Sequence, residues 1–241
     1  MRVTLFTEYN ASMVNDEAKA SYPDGMNAAL EAFLKTENEV TTIVHSDGDD
    51  GSALTEEILK NTDVLIWWGH WYHAGVNNAV VDKVVEYVNR GMGFIALHSA
   101  HASKPFTRLV GTTGALSWRE MGENERLWVI EPAHPITKGL GKYVDIPHEE
   151  MYGEPFSIPK PDELLFISWF KGGEVMRSGC VFNRGYGKVF YFRPGHETLP
   201  TYLNPDIQKI VLNAVKYVAP VCGVLDAPVP CIWAKEPIEK I

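Results

Sequence analysis

Residues Val64–Ala102 read VLIWWGHWYHAGVNNAVVDKVVEYVNRGMGFIALHSAHA. The runs Val64–Trp68 and Phe94–Leu97 are short and continuously apolar, the pattern of strands buried on both faces. Between them, Asn77–Asn89 sets Val81, Val84, Val85 and Val88 at helical spacing. Strand, helix and strand joined by short connections predict a right-handed crossover in a parallel, doubly wound sheet. Each strand ends in a histidine pair, His70/His73 and His98/His101, so four of the chain's eight histidines follow strand ends. In such sheets ligands bind beyond the carboxyl ends of the strands.

Toward the N-terminus, Arg2–Tyr9 and Glu39–Val44 read as strands, with Gly25–Leu34 as a helix between them. A long polar loop carries Tyr9, Asn10, Asn15 and Asp16. Asp47–Gly51 (DGDDG) lacks the EF-hand spacing and reads as a solvated turn. It leads into a helix at Thr55–Asn61, with Thr55 or Ser52 as its cap.

Toward the C-terminus, a helix is expected over His101–Leu109 and an irregular polar segment over Gly111–Glu125. Strands are expected at Leu127–Ile130 and Leu164–Phe170, and a hairpin joins Cys180–Asn183 to Lys188–Phe192. Tyr143–Tyr152 carries His148, Glu149, Glu150 and Tyr152, and Arg193–Glu197 (RPGHE) forms another strand-end loop. Asp206–Val218 is a long amphipathic helix. Residues 220–241 are rich in proline without periodicity and predict an extended tail. That tail would pack on the body or form a homo-oligomer contact through Ile232 and Trp233. No repeat or composition break divides the chain, so one α/β domain (1–219) with a C-terminal extension (220–241) is expected.

Hydrophobic content of 45% and charged content of 22% are globular values. A net charge of −9 argues against nucleic acid as the partner. The N-terminus lacks the apolar core of a signal peptide, and no apolar run long enough to span a membrane occurs. Three cysteines without a CxxC fit a reduced, cytoplasmic setting. Buried inert thiols are expected, against a Cys222–Cys231 bridge or a reactive thiol.

Three strand ends supply histidines: His70, His98 and His196. Two chemistries are open. Neutral imidazoles from separate loops can bind a divalent metal such as zinc, with a carboxylate from Glu149, Glu150 or Glu197. The same groups can act as general acids and bases near neutral pH. Simple capping or buried hydrogen bonding is the competing reading for any one histidine. Ser99 lies on a strand-to-helix turn without GxSxG, which makes a helix N-cap the better reading than a nucleophile. Trp71 and Tyr72 sit in a loop where aromatic walls suit a sugar ring, with plain packing as the competing reading. Without GxGxxG or GxxxxGK[ST], no nucleotide cofactor is expected.

GFIALHSAHASKPFTRLVG, AHPITKGL, HEEMYGEP and GYGKVFYFRPGHE together resemble the ThuA-like (trehalose utilisation) family, from about Asp63 to Ala219, and the first strand also fits. The resemblance implies a flavodoxin-like, mostly parallel sheet similar to class I glutamine amidotransferases. Those enzymes carry a cysteine on the turn after a central strand, in a pattern like G-x-C-x-G. Here the stretch is Ala96-Leu97-His98-Ser99-Ala100, so His98 stands in its place and thiolate hydrolysis of glutamine is excluded. Gly195-His196-Glu197 resembles their late His and Glu, without the residue usually between them. The family further implies carbohydrate metabolism, with an enzyme acting on a trehalose-related keto-sugar or disaccharide as the expectation. The alternative is a non-catalytic carbohydrate-binding or regulatory protein. The expected catalytic residues are His98, His196, Glu150 and Tyr152. Trp71, Tyr72 and Ser99 are expected to bind substrate, and His70, His98 and His196 to bind metal.

Overall fold

In the computed structural model, residues 1–233 are described. Nine strands form one sheet: β1 (Arg2–Tyr9), β2 (Glu39–Ser46), β3 (Val64–Trp68), β4 (Gly93–Leu97), β5 (Ser117–Val129), β6 (Tyr143–Gly153), β7 (Glu163–Phe170), β8 (Val175–Arg184) and β9 (Gly187–Phe192). Their order is β2-β1-β3-β4-β9-β8-β7-β5-β6. From β2 to β9 every pairing is parallel. From β9 to β6 every pairing is antiparallel. The expected doubly wound architecture is present, and its parallel part stops after five strands. Beyond β9 the chain returns through hairpin-like connections, so no crossover helices are needed there.

Among the described residues, six α-helices accompany the sheet: α1 (Asp16–Ser21), α2 (Met26–Leu34), α3 (Glu56–Lys60), α4 (Asn78–Asn89), α5 (Lys104–Val110) and α6 (Pro205–Val218). Alternation along β3 shows how both faces are covered. Val64, Ile66 and Trp68 pack with α2 and α6. Leu65 and Trp67 pack with α4 and α5. Asn77 caps α4, its side chain accepting from the Ala79 amide at 2.9 Å. The buried face of α4 is Val80, Val81, Val84, Tyr87 and Val88, and Val85 is only half-buried. Ile207, Ile210, Val211, Ala214, Val215 and Val218, at helical spacing, form the buried face of α6.

The structure departs from sequence expectation in several places. The segment read as irregular over Gly111–Glu125 enters a 13-residue strand at Ser117. Glu120 and Met121 are exposed while Glu125 is buried, and register shifts between Arg119 and Glu123, and between Glu123 and Glu125, hide the alternation. The polar loop after β1 contains α1, capped by Asn15. His98–Ala102 forms a 3-10 turn, and the α-helix behind it starts at Lys104. Ser103, not Ser99, is its N-cap. Thr55 caps α3.

No disulfide joins Cys222 to Cys231: both are exposed and free, and only Cys180 is buried. Burial pushes the Cys180 thiol up to about 12. The tail packs on the body where Arg90 Nε and Nη2 donate to the carbonyls of Leu225 (2.7 Å) and Asp226 (2.6 Å). Ile232 and Trp233 are exposed. The remainder of the expected tail, residues 234–241, lies outside the described residues. Among the described residues no helix is long and apolar enough to cross a membrane.

Candidate active site

The chain runs from β1 outward to β2 and then crosses back to β3 on the other side of β1. That reversal opens a crevice at the carboxyl ends of the parallel strands. His70 follows β3, His98 follows β4 and His196 follows β9. The three rings form a near-equilateral triangle, with centroids 5.9 Å (His70–His98), 5.4 Å (His98–His196) and 5.6 Å (His70–His196) apart.

Each ring is anchored through Nδ1. His98 Nδ1 donates to the Arg193 carbonyl at 3.0 Å. His196 Nδ1 meets the Thr198 hydroxyl at 2.9 Å. His70 Nδ1 meets the Ser99 hydroxyl at 2.6 Å. The three Nε2 atoms are thereby turned toward carboxylates. His98 Nε2 lies 3.1 Å from Glu150 Oε2. His196 Nε2 lies 3.9 Å from Glu150 Oε2 and 3.8 Å from Glu197 Oε2. His70 Nε2 lies 3.8 Å from Glu197 Oε1.

His98 has φ 52°, the one positive φ outside glycine among the described residues. That is a left-handed turn for a side chain projected from a strand end, as in a nucleophile elbow. Here the elbow carries an imidazole. Tyr152, on β6, stacks on it at 5.0 Å. The Tyr152 hydroxyl is 2.6 Å from Ser99 Oγ and 3.4 Å from His98 Nε2.

Electrostatics follow from this burial. Desolvation alone would lower the His98 pKa, but the Glu150 carboxylate outweighs it and the pKa is raised. Burial pushes Glu150 up, yet His98, His196 and His70 together pull it down to about 2. Glu197 is lowered too, with His196 and His70 overcoming its burial. His70 is lowered, burial prevailing over Glu197. Burial raises the Tyr152 pKa well above the ordinary phenol value, with Glu150 adding to the shift.

The surrounding frame is also charged. Glu149 accepts from the amides of Gly195 (3.0 Å), His196 (3.3 Å) and Glu150 (3.0 Å) and from the Thr201 hydroxyl (2.7 Å). Those bonds occupy its oxygens, so it holds the His196 loop instead of facing the histidines. Glu8, at the end of β1, accepts from the amides of His70 (2.7 Å), Trp71 (2.6 Å) and Tyr72 (2.9 Å). Arg193 is fully buried, paired with Glu125, and donates to the Glu150 carbonyl at 2.8 Å. Sequence reasoning assigned no site role to Glu8 or Arg193. Glu8 reads as an ordinary strand residue, and only its position at a strand end marks it.

Above the histidines lies a cavity of about 550 Å³, bounded by His70, Ser99, Glu150, Tyr152, Trp71 and Trp118, among others. This is an ordinary volume for a small-molecule site. His98 and His196 are buried and lie outside its lining. Trp71 lines it and is half exposed. Tyr72 does not line it; its ring instead meets the edge of His45 at 6.3 Å. His101 lines the wall and bonds the Gly114 carbonyl at 2.8 Å.

The donor set fits a divalent cation. Two overlapping groups, His98–Glu150–His196 and His70–His196–Glu197, each bring their ligand atoms within 4.8 Å of one another. The three expected metal histidines thus divide between two groups that share His196. Oε2 of Glu150 and Oε2 of Glu197 are buried with no aligned hydrogen-bond donor among the described residues. Buried, unsatisfied carboxylate oxygens beside imidazole nitrogens suit a zinc-like N/O site. Each anchored Nδ1 supplies the outer support that metal-binding histidines ordinarily have.

The sequence profile of the ThuA family, described as trehalose utilisation, matches residues 2–218. The chain belongs to the ThuA family. Its family role is thereby carbohydrate metabolism. No curated protein matches the chain. A protein from Parabacteroides merdae described as ThuA-like has a similar structure, with a TM-score of 0.68, 16% identity, and coverage of 95% of this chain and 93% of that one. A protein of Salmonella typhimurium described as cytoplasmic gives 0.57 at 12% identity, over 91% of this chain and 100% of that one. A glutamine amidotransferase from Thermotoga maritima gives 0.54 at 7% identity, over 90% and 97%. At these identities the likeness is one of fold. The ThuA chain shares the amidotransferase-like architecture and carries His98 on its elbow.

Proposed function

We propose that this ThuA-family chain is an enzyme acting on a trehalose-related keto-sugar or disaccharide, through a His/Glu site that holds a divalent metal such as zinc. The observation that carries this reading is the convergence of three anchored imidazoles on the buried carboxylates of Glu150 and Glu197, whose Oε2 atoms have no aligned hydrogen-bond donor among the described residues. His98, Glu150 and His196 would hold the ion. A bound divalent cation supplies Lewis acidity toward a carbonyl or hydroxyl oxygen.

The chain's own groups do the rest. Arg193 and Glu149 fix the floor, and Thr198 orients His196. Ser99 and Tyr152 offer hydroxyls at the cavity edge, where they can orient a sugar hydroxyl or hold its proton. Trp71 gives the sugar ring an apolar wall. The setting proposed for this chemistry is the cytoplasm.

Two measurements test the reading. Metal is quantified in protein purified without added metal, for wild type, His98→Ala and His196→Ala. Retention of wild-type metal by both variants would remove the metal from the reading. Turnover of 3-keto-disaccharides, lost in the same variants, supports an enzyme. Sugar binding without turnover would favour the non-catalytic carbohydrate-binding protein.

A further inference from the structure

We infer that Trp118 and Glu120 form a sugar-reading pair at the cavity mouth that restricts the site to uncharged sugars. The inference rests on the carbohydrate reading above and adds the class of sugar and the residues that choose it.

Both residues come from β5, where the ladder with β6 is interrupted. Arg119 pairs with Met151 and Glu123 pairs with Glu149, so Glu120, Met121 and Gly122 stand opposite Glu150 alone. The excess residues bulge out of the strand, with Gly122 at φ 60°. The bulge gives the strand a local reason to leave the plane of the sheet, and it sets Glu120 over the histidines. Its Oε1 lies 3.6 Å from His196 Nε2 while the side chain remains 56% exposed. Trp118, two residues earlier, is 66% exposed and lines the same cavity. Most of the Trp118 ring is thus open to a ligand in the cavity, with the Glu120 carboxylate on the same strand. Trp71 stands among the other lining residues, so the cavity offers aromatic surface from the loop after β3 and from β5.

Charge decides the ligand class. Among the described residues, those lining the cavity include Glu120 and Glu150 and no lysine or arginine. Glu197, buried behind them, adds to the negative charge. The divalent ion proposed for the floor would be balanced by Glu150 and Glu197, so Glu120 leaves the mouth negative, and a phosphate or carboxylate on the sugar would meet like charge there. A neutral sugar meets a hydrogen-bond acceptor for its hydroxyls in Glu120 and an apolar face in Trp118. Selectivity thus comes from a repulsive element as much as an attractive one. A reaction supplying this substrate would therefore leave the sugar unphosphorylated.

The test is titration calorimetry of the full chain with trehalose and with trehalose 6-phosphate, in wild type, Glu120→Gln and Trp118→Ala. Wild type is expected to bind trehalose at least roughly tenfold more tightly than its phosphate. Glu120→Gln should narrow that gap, and Trp118→Ala should weaken trehalose binding. Thermal melting checks that each variant is folded, as expected for exposed positions. Equal or tighter binding of the phosphate by wild type would overturn the inference and leave the carbohydrate reading standing. An unchanged gap in folded Glu120→Gln would overturn it likewise. Failure of wild type to bind either sugar would count against the carbohydrate reading itself and take the inference with it.

Discussion

Arg193 carries its charge in a position with no exposed surface, beside Glu125 and 3.7 Å from Glu149. Burial raises Glu125 to about 7 even with this arginine next to it. Removing one member of a buried ion pair leaves the other uncompensated, at a cost of about 3–5 kcal/mol. Arg193→Met should therefore lower stability by that amount in urea unfolding. A loss under ~1 kcal/mol would mean that Glu125, already raised by burial, takes up a proton and tolerates the absence of Arg193. His73 and His101 give a second residue-scale expectation. Burial lowers both from 6.5 to about 4. The fold accommodates their neutral forms, and the unfolded chain takes up protons first. Their contribution is complete above pH 6.5 and drains as pH falls toward 4, a loss on the order of 3 kcal/mol for each. Stability measured across that window should flatten in a His73→Gln/His101→Gln variant, and an unchanged slope would reject the assignment.

At the scale of elements, the loop after β9 decides where His196 stands. Gly195 has φ 132°, and a Cβ there would lie 2.0 Å from the Tyr202 hydroxyl. Its carbonyl accepts from Trp68 Nε1 at 3.0 Å, and its amide donates to Glu149. Gly195→Ala should push the loop off these partners and reduce metal retention to the level of His196→Ala. Wild-type metal content in the folded variant would show that the loop adjusts. The histidines of this site were legible in the sequence because strand ends are legible: a short apolar run followed by a polar residue fixes where the side chain emerges. The helix Pro205–Val218 was legible because its apolar spacing is unbroken. β5 was not. Its register shifts destroy the period-2 signal, and the residues that make its edge of the cavity look like any polar loop. Glu149 and Glu150 were adjacent in sequence and equal as ligand choices. Alternation on β6 sends them to different partners, which only the paired strand reveals.

For the whole molecule, the two halves of the sheet divide the work. The parallel half supplies His70, His98 and His196 from strand ends, and the antiparallel half brings Glu120, Glu150 and Tyr152 across from β5 and β6. The family resemblance carried the fold, while the antiparallel half and its contribution to the cavity depended on long-range pairing. The tail is held far from this site, against the C-terminal end of α4. Leu225 donates to the Arg90 carbonyl at 2.9 Å, and the Arg90 guanidinium returns two bonds to the tail. Val224 adds a partly buried apolar contact, while Val229 stays exposed. Few buried contacts and a small set of hydrogen bonds make this the kind of segment that opens locally before the body unfolds. Arg90→Ala removes both side-chain bonds and leaves the sheet untouched. It should speed amide exchange at Leu225 by about tenfold or more, the equivalent of one net hydrogen bond or slightly more, with little change in global unfolding. Unchanged exchange at Leu225 would mean that Val224 and its neighbours hold the tail without the arginine. A matching fall in global stability would instead make the tail an integral part of the domain.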